Sequence, residues 1–86
     1  MYYVYFLKLS NSKIYTGFTT DLKSRIKEHK EGKCESTRNF RPIKLVWYCA
    51  FPDRLSARKF ENYLKTGSGQ AFRNKHLVQS KLNFVE

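Results

Sequence analysis

The chain has 86 residues, a length that suits one domain with one modest hydrophobic core. It carries 17 Lys and Arg against 7 Asp and Glu, a formal net charge of +10. No apolar run approaches the roughly 18 residues of a membrane span, and the chain start has no signal-peptide pattern. These features exclude a membrane-spanning helix, predict a cytosolic protein and favour a polyanionic partner, nucleic acid above all. A merely solvated basic surface is the alternative, and an anionic membrane surface is a weaker one, because no long basic amphipathic helix is present.

The cysteines indicate neither a disulfide framework nor a zinc site. Cys34 and Cys49 are too few for a framework of disulfides. Together with His29 and His76 they are spaced 5, 15 and 27 residues apart, which matches no short-loop pattern of zinc ligands.

The first two elements read as a β-hairpin. Tyr2–Leu9 (YYVYFLKL) is aromatic and branched, which is typical of a strand, and it is apolar on both faces, which predicts a central one. A polar turn, SNS, separates it from a second strand over Lys13–Phe18 (KIYTGF). Strands joined by a tight turn must be antiparallel.

A helix follows the hairpin. Asp21, or a neighbouring threonine, can cap its beginning, and Gly32 can end it. Arg25 and His29 are four residues apart and therefore lie together beside the apolar seam. The loop-like segment after this helix is basic, and its candidate nucleic-acid contacts are Lys33, Arg38 and Arg41.

The remainder predicts one strand and two helices. Ile43–Phe51 is the most apolar segment and reads as the third strand. The next helix ends at Gly67 and places Glu61 beside its apolar stripe; Ser68 can cap a last short helix. The fold class is therefore α+β: a small three-stranded antiparallel sheet flanked by helices, in the order β-β-α-β-α-α, as a single domain over residues 1–86.

Five side chains match what a phosphodiester nuclease needs: a group that activates water, a cation for the phosphoryl charge, and a carboxylate for a hard metal ion. They are Tyr5, Tyr15, Arg25, His29 and Glu61. Each also has a plain structural interpretation: core residue, strand residue, surface charge, exposed helix residue and salt-bridge partner, respectively.

The order of four motifs resembles the GIY-YIG nuclease family. These are YVYFL, then YTG ten residues later, then DLKSRIKEH and ARKFENYLK. Val4-Tyr5 stands where the family has Ile-Tyr, and Tyr15-Thr16-Gly17 stands where it has Tyr-Ile-Gly. The glycine-containing segment after ARKFENYLK looks like the small, single-domain bacterial branch, whose role is uncharacterised, related to excision-repair nucleases. Tyr3, at the family's first Gly position, and Phe18, where some relatives have lysine, are departures from the pattern.

The resemblance implies a role for each candidate. Tyr15 would be the general base or would orient the attacking water. Tyr5 would position that water or the scissile phosphate. Arg25 would stabilise the transferring phosphoryl group, and His29 would assist proton transfer. Glu61 would hold one divalent ion, Mg²⁺ or Mn²⁺. A free phenol has a pKa of about 10, so Tyr15 can act as a base only where a metal ion or nearby cations lower it.

The resemblance also implies a nucleic-acid partner, with DNA favoured over RNA, a possible targeting protein, and a monomer. Lys65 and Asn74 are candidates for the polar residue that the family carries after its acidic helix. The rival hypothesis is a non-catalytic module for DNA or RNA in which Tyr2, Phe6 and Tyr15 stack on bases. A structural protein of ribosomal RNA would share the charge but would not need Glu61.

For hydrolysis we expect the two phenols, the Arg25 guanidinium and the Glu61 carboxylate to surround one shallow basic cleft. Glu61 on the opposite side of the sheet from Tyr15 would overturn the nuclease interpretation.

Overall fold

The computed structural model describes the backbone of residues 1–77 and the side chains of residues 1–75. Its elements are β1 (Tyr2–Lys8), β2 (Ile14–Thr19), α1 (Leu22–Lys30), a 3₁₀ turn (Arg38–Phe40), β3 (Lys44–Phe51), α2 (Arg54–Leu64), α3 (Gly67–Phe72) and a π-helical turn (Arg73–Leu77). This confirms the predicted order of β-β-α-β-α-α. None of the helices in this described part has the length and apolar character needed to cross a bilayer.

The three strands form one antiparallel sheet in the order β2-β1-β3. The central position of β1 follows from its sequence, because a strand that is apolar on both faces must be covered on both. Val4, Tyr5, Phe6 and Leu7 are all buried. Both β2 and β3 are edge strands, so their outer backbone groups face away from the sheet.

Helices cover the two faces of the sheet as separate layers. Val4 and Phe6 point to α2, where they form a core with Ala57 and Leu64. Tyr5 points the other way and packs with Ile26 of α1. The alternation of side chains along a strand therefore divides the core into an α1 layer and an α2 layer.

The helix termini follow local capping chemistry. Asp21 Oδ1 accepts a hydrogen bond from Ser24 N at 3.2 Å, as expected, and Gly32 has φ +79° just after the end of α1. The predicted Ser68 cap of α3 is wrong. Thr66 is the cap, because its Oγ1 accepts from Gly69 N at 3.0 Å.

Of the three stacking rings in the rival binding hypothesis, Phe6 is not available and Tyr2 is partly covered. Phe6 has no exposed area, and its ring stacks on Trp47 with centroids 4.7 Å apart. Tyr2 is half-buried and stacks on Phe18. Phe6 therefore cannot offer a free face to a base in this conformation.

Candidate functional site

A buried hydrogen-bonded chain joins β1, α1 and the loop after α1. The Tyr5 hydroxyl lies 2.8 Å from His29 Nε2, and His29 Nδ1 lies 2.7 Å from Thr37 Oγ1. All three residues are essentially without exposed area. Strand β1 fixes the tyrosine, and α1 presents the histidine from the layer above, so the imidazole is held at both of its nitrogens.

The protonation states of this chain follow from its burial. Burial, reinforced by the neighbouring Tyr15 and opposed by Arg25, raises the pKa of Tyr5 to about 12. Burial, with a further contribution from the Arg25 charge, lowers the pKa of His29 below its usual range. At neutral pH both groups are therefore uncharged. A neutral imidazole nitrogen is a better acceptor than a phenol oxygen, so this network assigns Tyr5 as the donor to Nε2 and His29 Nδ1–H as the donor to Thr37.

Gly17 makes room for this chain. It pairs with Tyr5 across the β1–β2 hairpin. A Cβ at this position would overlap the ring and hydroxyl of Tyr5. The Tyr5 ring is enclosed and cannot turn aside, so the glycine is required by close approach and not by its own backbone conformation.

We expect Gly17→Ala to lower the free energy of unfolding by about 1–3 kcal/mol, because it forces the fixed Tyr5 ring to move. Gly67→Ala is the matched control, since a Cβ there meets nothing within 4 Å. It should change stability by less than about 0.5 kcal/mol. Urea unfolding followed by the fluorescence of Trp47, the single tryptophan, measures both. Equal urea midpoints for the two variants would show that the site tolerates a side chain at residue 17.

Tyr15 completes an aromatic cluster over the same imidazole. Its ring centroid lies 5.3 Å from that of His29 and 6.4 Å from that of Tyr5. It is half-buried, and among residues 1–75 its hydroxyl has no hydrogen-bond partner. Tyr15 is thus the phenol of this cluster that can receive a ligand or a water.

Arg25 borders the cluster on the side of solvent. Its guanidinium interacts with the Tyr5 hydroxyl and donates to Glu28 Oε1 at 3.0 Å. This ion pair is 40% and 44% exposed, and such surface pairs contribute only about 0–1 kcal/mol. With Phe18, Thr19 and the first turn of α1, Arg25 lines an open depression beside β2. A phosphate oxygen can replace Glu28 as the partner of this guanidinium at little cost.

Glu61 is a buried carboxylate of α2 that two cations hold. Arg58 Nη1 lies 2.9 Å from its Oε1, and Lys65 Nζ lies 3.0 Å from its Oε2. The carboxyl group is 7% exposed, whereas the side chains of Arg58 and Lys65 are 45% and 53% exposed. In this conformation Glu61 is a salt-bridge partner, which is the alternative interpretation given by the sequence. Its role as a metal ligand stays a prediction.

The layering corrects the expectation of one cleft on one face of the sheet. Tyr15 packs in the α1 layer, while Glu61 belongs to α2 on the opposite face. The edge strand β2 lies between them. What joins the two sides is Phe18 of β2: it lines the Arg25 depression, and Arg58 places its guanidinium 3.9 Å from the centroid of that ring. Arg25 and Glu61 thus flank β2 from two layers.

The predicted nucleic-acid residues of the loop serve partly to hold the loop itself. Lys33 is exposed and pairs with Glu31 at 3.3 Å. Arg41 donates to Arg38 O at 3.0 Å and to Lys30 O at 3.5 Å, so its guanidinium fastens the loop to the end of α1. Arg38 is exposed at the start of the 3₁₀ turn.

The two later candidates are also engaged in contacts. Lys65 is bound to Glu61, and Asn74 Oδ1 accepts from Arg73 Nε at 3.1 Å. Neither is brought next to Tyr5 or Tyr15 by a contact of the described residues.

Sequence reasoning missed two residues of the site. Thr37 lies in a loop that has no periodicity, and only the turn back over α1 brings it to His29. Arg58 is the second: it lies three residues before Glu61 on the same helix, but the helical pattern does not indicate that it covers Phe18. An aromatic residue in an edge strand beside an arginine-rich helix could have suggested that contact.

Comparison with known proteins shows the family of the chain. The model of the GIY-YIG catalytic domain matches residues 1–76. The chain belongs to the GIY-YIG family. A UPF0213 protein of Clostridium perfringens is 41% identical over 66 residues, which cover 76% of this chain and 71% of the relative. A UPF0213 protein of Staphylococcus haemolyticus is 37% identical and is covered over 85% of its length.

A solved structure extends the likeness to three dimensions. The solution NMR structure of the UPF0213 protein of Bacillus halodurans aligns with a TM-score of 0.53 and 37% identity, covering 83% of this chain and 80% of that one. These relatives are small UPF0213 proteins, and with the family match of this chain they agree with the predicted small bacterial branch.

Proposed function

We propose that this domain is a metal-dependent, structure-selective endonuclease that hydrolyses phosphodiester bonds of nucleic acid, with DNA favoured. The observation that carries the proposal is the cluster of Tyr5, His29 and Tyr15 beside the Arg25 guanidinium. It supplies two phenols, a neutral imidazole and a cation within one small volume. Membership of a family of nuclease catalytic domains supports the same reaction.

The distribution of the site over two layers restricts how a substrate can lie. Glu61 lies on the α2 face, opposite Tyr15, which is the placement named above as overturning a nuclease whose site lies on one face of the sheet. The proposal therefore requires the scissile strand to cross the outer edge of β2, between Arg25 and Glu61. The outer backbone groups of an edge strand are unpaired on that side. Phe18, with the arginines that lie over its ring, forms a surface there that is both basic and apolar.

The Glu61 carboxylate is the group that could hold a hard divalent ion here, and Arg58 and Lys65 would have to release its oxygens first. The ammonium of Lys65, 3.0 Å from Oε2, stands where a cation would be held. Carboxylate oxygen is the ligand that Mg²⁺ and Mn²⁺ prefer, and Mg²⁺ is commonly bound by one or two carboxylates with water and phosphate oxygens. No group of three His, Cys, Asp or Glu side chains forms within the described residues, so water and substrate would provide the rest. When bound, such an ion would neutralise charge that develops on the phosphoryl and leaving-group oxygens.

The protein side chains divide the remaining work. Arg25 exchanges Glu28 for the phosphoryl oxygens and stabilises their charge. Tyr15 directs its free hydroxyl at the attacking water. Tyr5 keeps its proton, because its pKa is about 12, and so it positions His29 and does not act as the base. His29 is neutral and is held at both ring nitrogens, so it can accept a proton only if the Tyr5 hydroxyl gives up its hydrogen bond to Nε2.

A non-catalytic nucleic-acid-binding module is the second candidate. The observation that favours it is the saturation of Glu61 by Arg58 and Lys65, which is the arrangement of a structural salt bridge. The net charge of +10 serves this function equally well.

Incubation with a panel of branched, flapped, duplex and single-stranded DNA and RNA, in Mg²⁺, Mn²⁺ or EDTA, tests the proposal. We expect cutting of selected branched substrates that EDTA abolishes. Affinity should fall by orders of magnitude between about 50 and 200 mM salt, because phosphate contacts release counterions. Tight binding without cutting of any substrate would leave the binding module as the function, and a salt-independent affinity would point to a small molecule or a protein as the ligand.

A further inference from the structure

A second depression lies on the α1 face of the sheet, between α1 and the edge strand β3. Its walls include Tyr3 and Tyr48, and its floor includes Ile26 and Leu45. The two tyrosine rings meet edge to face with centroids 6.3 Å apart. Tyr48 is 53% exposed, although it stands in register with the fully buried Tyr5. The tyrosine pair is thus the uncovered end of the same face that α1 covers further along.

Three lysines form the other wall of this depression, which we call the tyrosine groove. Lys23, Lys27 and Lys30 repeat at i, i+4 and i+7, so they share one side of α1. Each is exposed, and no carboxylate of residues 1–75 lies within ion-pair distance of any of them. Asp21, the acidic residue that reaches the groove, uses its carboxylate to cap α1. The wall therefore has unneutralised positive charge.

The tyrosine groove is separate from the catalytic cluster but connected to it. Arg25 follows Lys23 by two residues, about 200° around a helix with 3.6 residues per turn, so the two face opposite ways. The groove and the Arg25 depression nevertheless share Thr20 and Asp21, at the start of α1. A bound chain can pass from one to the other around the end of this helix.

We propose that the tyrosine groove binds a single, unpaired nucleic-acid strand, with a base stacked on Tyr48 and phosphates on Lys23, Lys27 and Lys30. An exposed aromatic face beside a row of cations is the arrangement that holds single strands, because only an unpaired base can offer its own face. The inference rests on the proposed function for its partner. It adds an explanation of substrate selection. The unpaired arm of a branched substrate lies in the groove, and the junction of the substrate is thereby placed beside Arg25.

The test measures binding apart from cutting, by fluorescence anisotropy of a labelled oligo-dT in EDTA. Tyr48→Leu should weaken binding about 5- to 150-fold, the loss expected for one stacked base. Tyr63→Leu is the matched control, because Tyr63 is 42% exposed but lies on α2, in the other layer. It should bind like the wild type.

A lysine pair tests the electrostatic wall. Lys27→Gln should reduce the slope of log affinity against log salt by about 0.7, as expected for one phosphate contact on a single strand. Lys59→Gln, an exposed charge of α2, should leave the slope unchanged. Equal reductions in both variants would mean diffuse attraction and would overturn the proposed path.

Duplex and RNA probes decide the remaining points. A fully paired duplex should lose little affinity with Tyr48→Leu; an equal loss on duplex and single strand overturns the single-strand assignment. Oligo-U beside oligo-dU, which carries the same base, shows which sugar the groove prefers. Wild-type cutting without any Tyr48 effect would refute the groove alone, whereas a selective Tyr48 effect without cutting of the panel would refute the proposed hydrolysis alone.

Discussion

Glu61→Gln is expected to abolish nucleic-acid cutting while leaving binding nearly intact. Glutamine has almost the same shape as glutamate, but its neutral amide is a much poorer ligand for a hard cation. We expect a loss of more than about 100-fold, since even residues that only support a metal ligand cost 10- to 100-fold. Removing one negative charge from a basic surface should, if anything, strengthen the binding of a polyanion.

The structure sharpens the design of that experiment. Glu61 also holds Arg58 and Lys65, so its replacement will cost some stability, and thermal unfolding of each variant must be measured beside activity. Glu35→Gln, an exposed carboxylate in the loop after α1, is the matched control for a lost charge. Equal cutting by the wild type and the Glu61 variant would show that Glu61 is not the metal ligand. If neither cuts while both bind, the binding module becomes the better account.

The fold could be predicted because local sequence patterns determine most of its elements. The two apolar faces of β1 predicted its central place, and Asp21 and Gly32 predicted the ends of α1. The error at Ser68 has a simple cause. Thr66 and Ser68 are both good capping residues, and only the end of α2 at Leu64 decides that the earlier one is used.

The site was harder to predict because it depends on which layer each helix joins. Periodicity indicates that Glu61 borders an apolar stripe, but it does not indicate which face of the sheet that stripe covers. The contact of Thr37 with His29 is likewise tertiary, since the loop carries no pattern that fixes its path. The pairing of Tyr5 with Gly17, by contrast, lies within the hairpin, so the register of its two strands alone determines it.

Replacing each of the two phenols of the site by Phe should have different effects on cutting and on stability. Tyr15→Phe should lower cutting by about 10²- to 10⁴-fold, the range of a lost acid–base group, because it removes the free hydroxyl beside His29. It should leave stability almost unchanged, since among the described residues that hydroxyl has no hydrogen-bond partner. Tyr5→Phe should instead destabilise the fold by about 1–3 kcal/mol, because it leaves a buried nitrogen of His29 without its donor.

The pH dependence of stability distinguishes these two variants without an activity assay. The pKa of Tyr5 is raised in the folded protein to about 12 from 10.0, so its contribution is complete below pH 10. It is lost as the pH rises towards 12, at up to about 1.4 kcal/mol per unit. Urea unfolding between pH 9 and 11.5 should therefore show a decline in the wild type and in Tyr15→Phe that is much shallower in Tyr5→Phe.

A wild-type decline that persists unchanged in Tyr5→Phe would mean that another group titrates, and Tyr5 would then be open to ionise as a base. A loss of cutting in Tyr5→Phe as large as in Tyr15→Phe, in samples shown to be folded, would assign the buried phenol a direct role in the reaction.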